Sequence, residues 1–268
     1  MTRTAPARQP SRFSEHGDDA HASQDASSPQ YKSAVSADVK AYYSYWWENP
    51  RDIRAPVFSR LNDQVTRLLD GIRGNRALDL GSGRGAIVKI LCSLGYSVTA
   101  VEFNPEFIRQ LGSSFPDVEV VGADLRKWVP AGKYDVATCI EVAQVLTHDD
   151  LAALLERLRP HVGHLVINIS NAASFHGIWV RLRHFQAPFI VNYTPRDLEH
   201  ILTSSGYKIL SRAGIGIVTP VSLFREFNVV LVSQDLSSWF MKFDKRVPKH
   251  CHLYLVDAVP VQRWRDHE

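Results

Sequence analysis

The run Arg76-Ala77-Leu78-Asp79-Leu80-Gly81-Ser82-Gly83-Arg84-Gly85-Ala86 constrains the fold more than any other stretch of the chain. It reads as a short apolar strand entering a glycine-rich turn that opens a helix. Ala77, Leu78 and Leu80 suit a strand covered on both faces. Gly81 and Gly83 reach backbone angles closed to other residues and let a ligand approach the bare main chain. Ala86-Ile87-Val88-Lys89-Ile90-Leu91 continues as a helix whose N-terminus points at that ligand. Asp79 stands at the carboxyl end of the strand, where an acid attracts a cation or accepts from an amino group.

Strand and helix then alternate. Strands are expected at Ser97–Glu102, Val118–Val121, Tyr134–Ile140 and Leu165–Ile169, with further strand-like runs at Lys208–Leu210, Phe227–Val232 and Leu253–Val256. Between them, Asn104 caps a helix that has Pro105 at its first position. A second helix runs from Asp149 or Asp150 through Leu158. A third starts at Thr194 and Pro195, reaches about Ser205 and stops at Gly206. This alternation predicts an α/β domain: a Rossmann-like, seven-stranded, mostly parallel sheet with helices on both faces.

In such a sheet a ligand sits at the carboxyl ends of the strands, near the topological switch point. Three acids fall at or just past successive strand ends: Asp79, Glu102 and Asp124. The glycine turn alone leaves two readings open. Gly81, Gly83 and Ala86 also satisfy the relaxed dinucleotide fingerprint, and an NAD enzyme also uses an acid such as Glu102 for ribose. That enzyme does not need Asp79 and Asp124. Asp79-Leu80-Gly81-Ser82-Gly83-Arg84-Gly85 resembles motif I of the class I S-adenosylmethionine (SAM) methyltransferases. Lys133-Tyr134-Asp135-Val136-Ala137-Thr138-Cys139-Ile140-Glu141 resembles the motif IV region of the ubiquinone-biosynthesis O-methyltransferases. Trp46-Trp47, Ser59–Asn62, Ser170-Asn171 and Tyr193–Leu198 extend that likeness over roughly residues 40 to 233.

The resemblance implies SAM as cofactor and S-adenosylhomocysteine (SAH) as product. It implies a cofactor set of Asp79, Gly81, Ser82, Gly83, Gly85, Glu102, Phe103, Asp124, Leu125 and Ile140. The glycine turn and Asp79 would meet the amino-acid part, Glu102 the ribose, Asp124 and Leu125 the adenine, and the Ile140 backbone the donor end. Some members of that family carry Glu-x-x-Glu-His after the fourth strand, implicated in metal binding. This chain has Glu141-Val142-Ala143-Gln144-Val145, so no metal is expected.

Methyl transfer to a hydroxyl needs alignment, exclusion of water and removal of a proton. His148 and Glu141 are the catalytic candidates, with His176 a weaker base. His148 has a plain structural alternative, as the flank of the following helix. Residues 171–193 form a substrate-side insertion. There Phe175, Ile178, Trp179, Leu182 and Phe185 share a helical face, while Arg181, Arg183 and His184 lie elsewhere. The simpler expectation is a helix that covers the site with its apolar face inward. The alternative is a basic amphipathic helix on an anionic membrane or a lipidic substrate. Substrate contacts are expected from Tyr43, Trp47, His176 and Trp179.

Residues 1–30 read as a disordered tail. Residues 31–238 read as the methyltransferase domain, with an N-terminal helical lid at 35–70. The helical spacing of Val57, Leu61, Val65, Leu68 and Leu69 reads first as a helical layer packed on the main domain, to which Tyr42, Tyr43, Trp46 and Trp47 would add a cover over the site. Residues 239–268 read as a C-terminal extension carrying Lys242, Lys245, Arg246 and Lys249. A net charge of +3 does not call for nucleic acid. Cys92, Cys139 and Cys251 fit buried, reduced thiols in a cytosolic protein. No apolar run approaches the about 18 residues of a membrane span. The expectation is therefore a cytoplasmic enzyme methylating a small aromatic or lipid-like molecule at a hydroxyl, with peripheral membrane contact as an added reading and the oligomeric state open. The alternatives are an NAD(P)-dependent oxidoreductase and a non-catalytic SAM-binding partner protein.

Overall fold

The computed structural model describes residues 55–182, 190–217 and 239–261. All of them belong to the unit formed by residues 49–268. The tail at 1–30, the aromatic cluster with Tyr43 and Trp47, Phe185 and the strand expected at Phe227–Val232 lie outside the described residues.

Helix α1 (Ala55–Asp70) leads into β1 (Arg76–Leu80), α2 (Ala86–Ser93), β2 (Ser97–Glu102), α3 (Pro105–Ser114), β3 (Glu119–Gly122) and β4 (Tyr134–Cys139). Then come α4 (His148–Leu158), β5 (Val162–Ser170), α5 (Phe175–Leu182), α6 (Pro195–Ser204), β6 (Tyr207–Ile215) and β7 (Leu253–Pro260). The seven strands form one sheet in the order β3-β2-β1-β4-β5-β7-β6. β7 runs antiparallel to both of its neighbours, and the other pairings are parallel. The segment read as an extension from residue 239 thus supplies β7, wedged between β5 and β6 with Leu165 opposite Ala258 and Ile215 opposite Leu253.

Local chemistry explains the element ends. Asn104 accepts from the Glu106 amide at the start of α3, with Pro105 in the first turn. Thr194 and Asp197 form a reciprocal capping box on α6. Thr147 accepts from Asp150 N, so α4 begins one residue earlier than expected, at His148.

Alternation along the strands sends side chains to two cores. On one face Leu78, Leu80, Leu165, Ile167, Tyr254 and Val256 meet Leu151, Leu154, Leu155 and Leu158 of α4 and Leu198 and Leu202 of α6. On the other, Ala77, Val98, Ala100, Leu253 and Leu255 meet α2 and the stripe Val57, Leu61, Val65 and Leu69 of α1. α1 is therefore a packed layer of the domain. Cys139 and Cys251 are buried thiols, but Cys92 is exposed, because it ends a helix whose inward stripe is Ile87, Val88 and Leu91.

Candidate active site

The turn after β1 is built by three glycines in the left-handed region: Gly81 at φ 71°, Gly83 at 53° and Gly85 at 87°. The amides of Gly81 and Ser82 donate to Val101 O at 2.8 and 3.1 Å, which pins the turn to β2. The three glycines have different surroundings. A Cβ on Gly81 would lie 2.5 Å from Val142 Cγ2, and one on Gly85 would lie 2.5 Å from Phe115 Cε2. A Cβ on Gly83 would meet nothing within 4 Å, so this residue borders open space.

Glu102, only 5% exposed, closes β2 over that turn. Its Oε2 accepts from Gly83 N at 2.8 Å, and its Oε1 accepts from Phe103 N and Asn104 N, each at 2.8 Å. A carboxylate has about four acceptor positions. These backbone amides therefore leave room for a ligand donor. Phe103 stands half-exposed at the rim.

Asp79 is buried beneath the turn. Its Oδ1 accepts from Thr138 Oγ1 at 2.6 Å, while its Oδ2 is buried without a partner among the described residues. Burial pushes its carboxyl up to about 6 from 3.8; the Thr138 and Ser82 hydroxyls oppose the rise and the nearby Glu102 charge adds to it.

Asp124 follows β3. Its carboxylate is gripped by the Arg126 guanidinium at 2.7–3.0 Å and by the Arg126 amide at 3.0 Å. Partial burial alone would raise this acid, but Arg126 outweighs it and holds the carboxyl below the usual range. A ligand amino group at Asp124 must share these oxygens with Arg126. Leu125 is buried behind it, and its carbonyl accepts from Arg157 Nη2 at 2.8 Å.

The other part of the candidate site lies past β4 and β5. Ile140 is buried, and Glu141 adopts φ 60°, the one non-glycine residue in the left-handed region among those described. Asn168 on β5 holds it there. Its Oδ1 accepts from Glu141 N at 2.7 Å, and its Nδ2 donates to Glu141 Oε1. His148 is exposed, with its ring 4.5 Å from that of the buried Tyr193. Tyr193 ties the region together: its hydroxyl donates to Leu146 O at 2.9 Å and its carbonyl accepts from Ala172 N at 2.8 Å.

His176 and Trp179 sit on α5, beyond β5. The His176 ring lies 4.1 Å from that of His252, just before β7. The apolar face of α5 does not turn inward. Phe175, Ile178 and Leu182 are 49%, 44% and 72% exposed. The close face is instead at Gly177, where a Cβ would lie 2.4 Å from Asn171 O.

The structure thus brings Asp79, Gly81, Ser82, Gly83, Gly85 and Glu102 together at β1 and β2, with Asp124 after β3. It places Ile140, Glu141 and His148 around the end of β4. Sequence reasoning missed Arg126, Thr138, Gln144, Asn168 and His252. Asn168 carried a signal, since an amide inside the apolar run Leu165–Ile169 must find partners when buried.

Comparison with known proteins agrees with this geometry. A family model described as a methyltransferase domain matches residues 53–212. A mitochondrial ubiquinone biosynthesis O-methyltransferase of Schizosaccharomyces pombe is 28% identical over 137 residues, 46% of this chain and 50% of that protein. The chain thus spans about half the length of this curated relative. Among solved structures, a SAM-dependent methyltransferase from Clostridium acetobutylicum superposes with a TM-score of 0.57 at 14% identity, covering 83% of this chain and 100% of that one. Magnesium protoporphyrin IX methyltransferase from Synechocystis, with bound SAH, gives 0.55 at 15%, covering 76% and 84%. The N-methyltransferase NodS of Bradyrhizobium japonicum gives 0.53 at 14%, covering 78% and 98%. With the family model matching more than half of its length, the sheet order in place and the glycine turn built as described, the chain belongs to the class I SAM-dependent methyltransferases.

Proposed function

We propose that this domain binds SAM across the ends of β1, β2 and β3 and transfers its methyl group to a hydroxyl of a small aromatic or lipid-like molecule. The residues present fit the cofactor. Gly83 leaves open space beside the turn. Asp79 Oδ2 lacks a partner that an ammonium group would supply. In this reading Gly81, Ser82, Gly83 and Gly85 cradle the amino-acid part, Glu102 takes ribose hydroxyls, Asp124 and Leu125 face the adenine, Phe103 flanks it, and the Ile140 backbone lies at the donor end. SAM supplies a methyl group already activated by its sulfonium.

The chain must then orient the acceptor and take its proton. The observation that carries this reading is Glu141, held at φ 60° directly after β4. Strained backbone of this kind, worth about 1–3 kcal/mol, persists where surrounding contacts enforce it and clusters at functional sites. Glu141 orients the acceptor hydroxyl, and either Glu141 or the exposed His148 accepts its proton. His176 and Trp179 contribute acceptor contacts in the same reading. The O-methyltransferase name of the yeast relative supports the choice of oxygen. The test is calorimetry with SAM, SAH and NAD(P)H, followed by a screen of phenolic, sugar and lipid acceptors for SAH release. Methylation of nucleic acid or protein alone would overturn the small-molecule reading.

The exposed face of α5 favours a second statement about location. Among the described residues no helix is long and apolar enough to cross a membrane. We propose that Phe175, Ile178 and Leu182, with Arg181 beside them, rest on an anionic membrane surface from a cytoplasmic enzyme. Co-sedimentation with phosphatidylserine vesicles should fall in Leu182→Glu. Equal sedimentation of both proteins would refute this contact.

A further inference from the structure

The turn after β4 carries a second unpaired polar group. Gln144, 5% exposed, stands in the short 3-10 turn Ala143–Val145, one turn on from Glu141. Its Nε2 lies 3.5 Å from Glu141 Oε2, while its Oε1 is buried without a partner among the described residues. The amide orientation follows from chemistry. A carboxylate only accepts, so the nitrogen takes the contact with Glu141, which leaves the oxygen of the same amide for another donor. A buried carbonyl left unsatisfied is costly and calls for a donor.

The turn is also fixed in place. Val142 packs where a Cβ of Gly81 would be, so this segment abuts the glycine turn. The main-chain carbonyl of Gln144 accepts from Val191 N at 2.8 Å, which ties the turn to the segment before α6. Asn168, fully buried on β5, is held in one orientation for the same reason as Gln144. Glu141 N only donates, so Oδ1 must face it, and Nδ2 then meets the carboxylate.

We infer that Gln144 Oε1 and the Glu141 carboxylate, the latter set by Asn168 as a positioning residue, form an acceptor-side subsite that takes hydrogen-bond donors. It rests on the methyltransferase reading and deepens it. The subsite selects acceptors that present O–H or N–H groups at the reacting end, and rejects those whose reacting neighbourhood is apolar or purely accepting. Gln144 makes this selection without a second negative charge at the turn.

The test needs no acceptor. Sinefungin is a SAM analogue in which an amine-bearing carbon replaces the methylated sulfonium. It carries a positive charge there, as SAM does, but adds N–H donors where the methyl group lies. Binding of SAM, SAH and sinefungin is measured by calorimetry on the full chain. Sinefungin should bind at least about fivefold more tightly than SAM, a modest yield for a charge-assisted hydrogen bond. Gln144→Leu and Glu141→Gln should bring that ratio toward one while SAH affinity stays within about twofold. Gln144→Glu should raise the ratio. Asn168→Ala should lower it, and the Gln144 variants keep the test valid should Asn168→Ala not fold. Equal affinity for sinefungin and SAM in the wild type, or an advantage that survives both Gln144→Leu and Glu141→Gln, would overturn the subsite. Failure of all three ligands to bind would instead overturn the cofactor reading beneath it.

Discussion

Replacing Asp79 by Asn tests whether a buried acid governs cofactor binding. Burial holds this carboxyl at about 6 instead of 3.8. Keeping it ionised in the empty site at neutral pH therefore costs ~3 kcal/mol, since each pH unit of displacement is worth about 1.4 kcal/mol. The sign follows. The folded acid has a raised value, so the empty protein loses stability as pH climbs from about 4 to about 6 and carries the full cost above that. An ammonium group placed against Oδ2 favours the carboxylate, so binding is strongest above pH 6. Below that it should weaken by about tenfold per pH unit. Calorimetric titration with SAH between pH 5 and 7 should show roughly tenfold weaker binding at pH 5 than at pH 7, with proton release visible as a dependence on buffer ionisation heat. Asp79→Asn should flatten this profile, weaken binding at pH 7 and raise the thermal midpoint of the empty protein. A flat wild-type profile, or an Asp79→Asn protein no more stable than the parent at pH 7, would refute the reasoning.

Other substitutions separate fold from site. Gly83→Ala should cost only about 1 kcal/mol of stability, the ordinary penalty of a Cβ in the left-handed region, yet weaken SAH binding strongly because its Cβ enters open space. Gly85→Ala should instead lower the thermal midpoint, because its Cβ collides with Phe115. Glu102→Ala releases Gly83, Phe103 and Asn104 together, and calorimetry should show SAH binding lost. Burial would raise Glu199, but hydrogen bonds from Tyr254, Arg212 and Lys249 hold it down at about 2, against 4.5. Its stabilisation is therefore full above about pH 4.5 and lost as pH falls toward 2. Arg212 and Lys249 are 41% and 53% exposed, so screening limits the effect to about 1–2 kcal/mol. Glu199→Gln should lower denaturant stability at pH 7 and flatten its decline in acid.

The sheet was legible because each strand is a compact apolar run and each crossover carries its own stop and start signals. Asp79 and Glu102 could be placed for the same reason: a strand end locates its acid without knowledge of the neighbours. What the sequence hid depends on contacts between distant segments. The Arg126 grip on Asp124 looks like two ordinary loop charges until the loop folds back on itself. Glu141 reads as a catalytic candidate, but its left-handed backbone depends on an amide 27 positions later. The face of α5 misled because periodicity shows that a helix has an apolar side without showing which side packs. Here Gly177, the smallest residue of the helix, marks the side that packs against the chain. The run Leu253–Val256 showed a strand, but not its place between β5 and β6, because an antiparallel strand arriving from beyond the last parallel crossover has no helix to announce where it inserts.

The late arrival of β7 also orders assembly in time. During synthesis β1 to β5 can pair as they emerge, each with a neighbour already made. β6 cannot join them, because its pairing is with β7. It must wait, with α6 beside it, until Leu253–Pro260 has left the ribosome and slotted in against β5. Until then the growing chain presents the unpaired edges of β5 and β6, the kind of surface that recruits strands from other molecules. A ribosome-stalled chain ending near residue 250 should therefore be a protease-sensitive, aggregation-prone species, and β7 acts as the latch that closes the sheet.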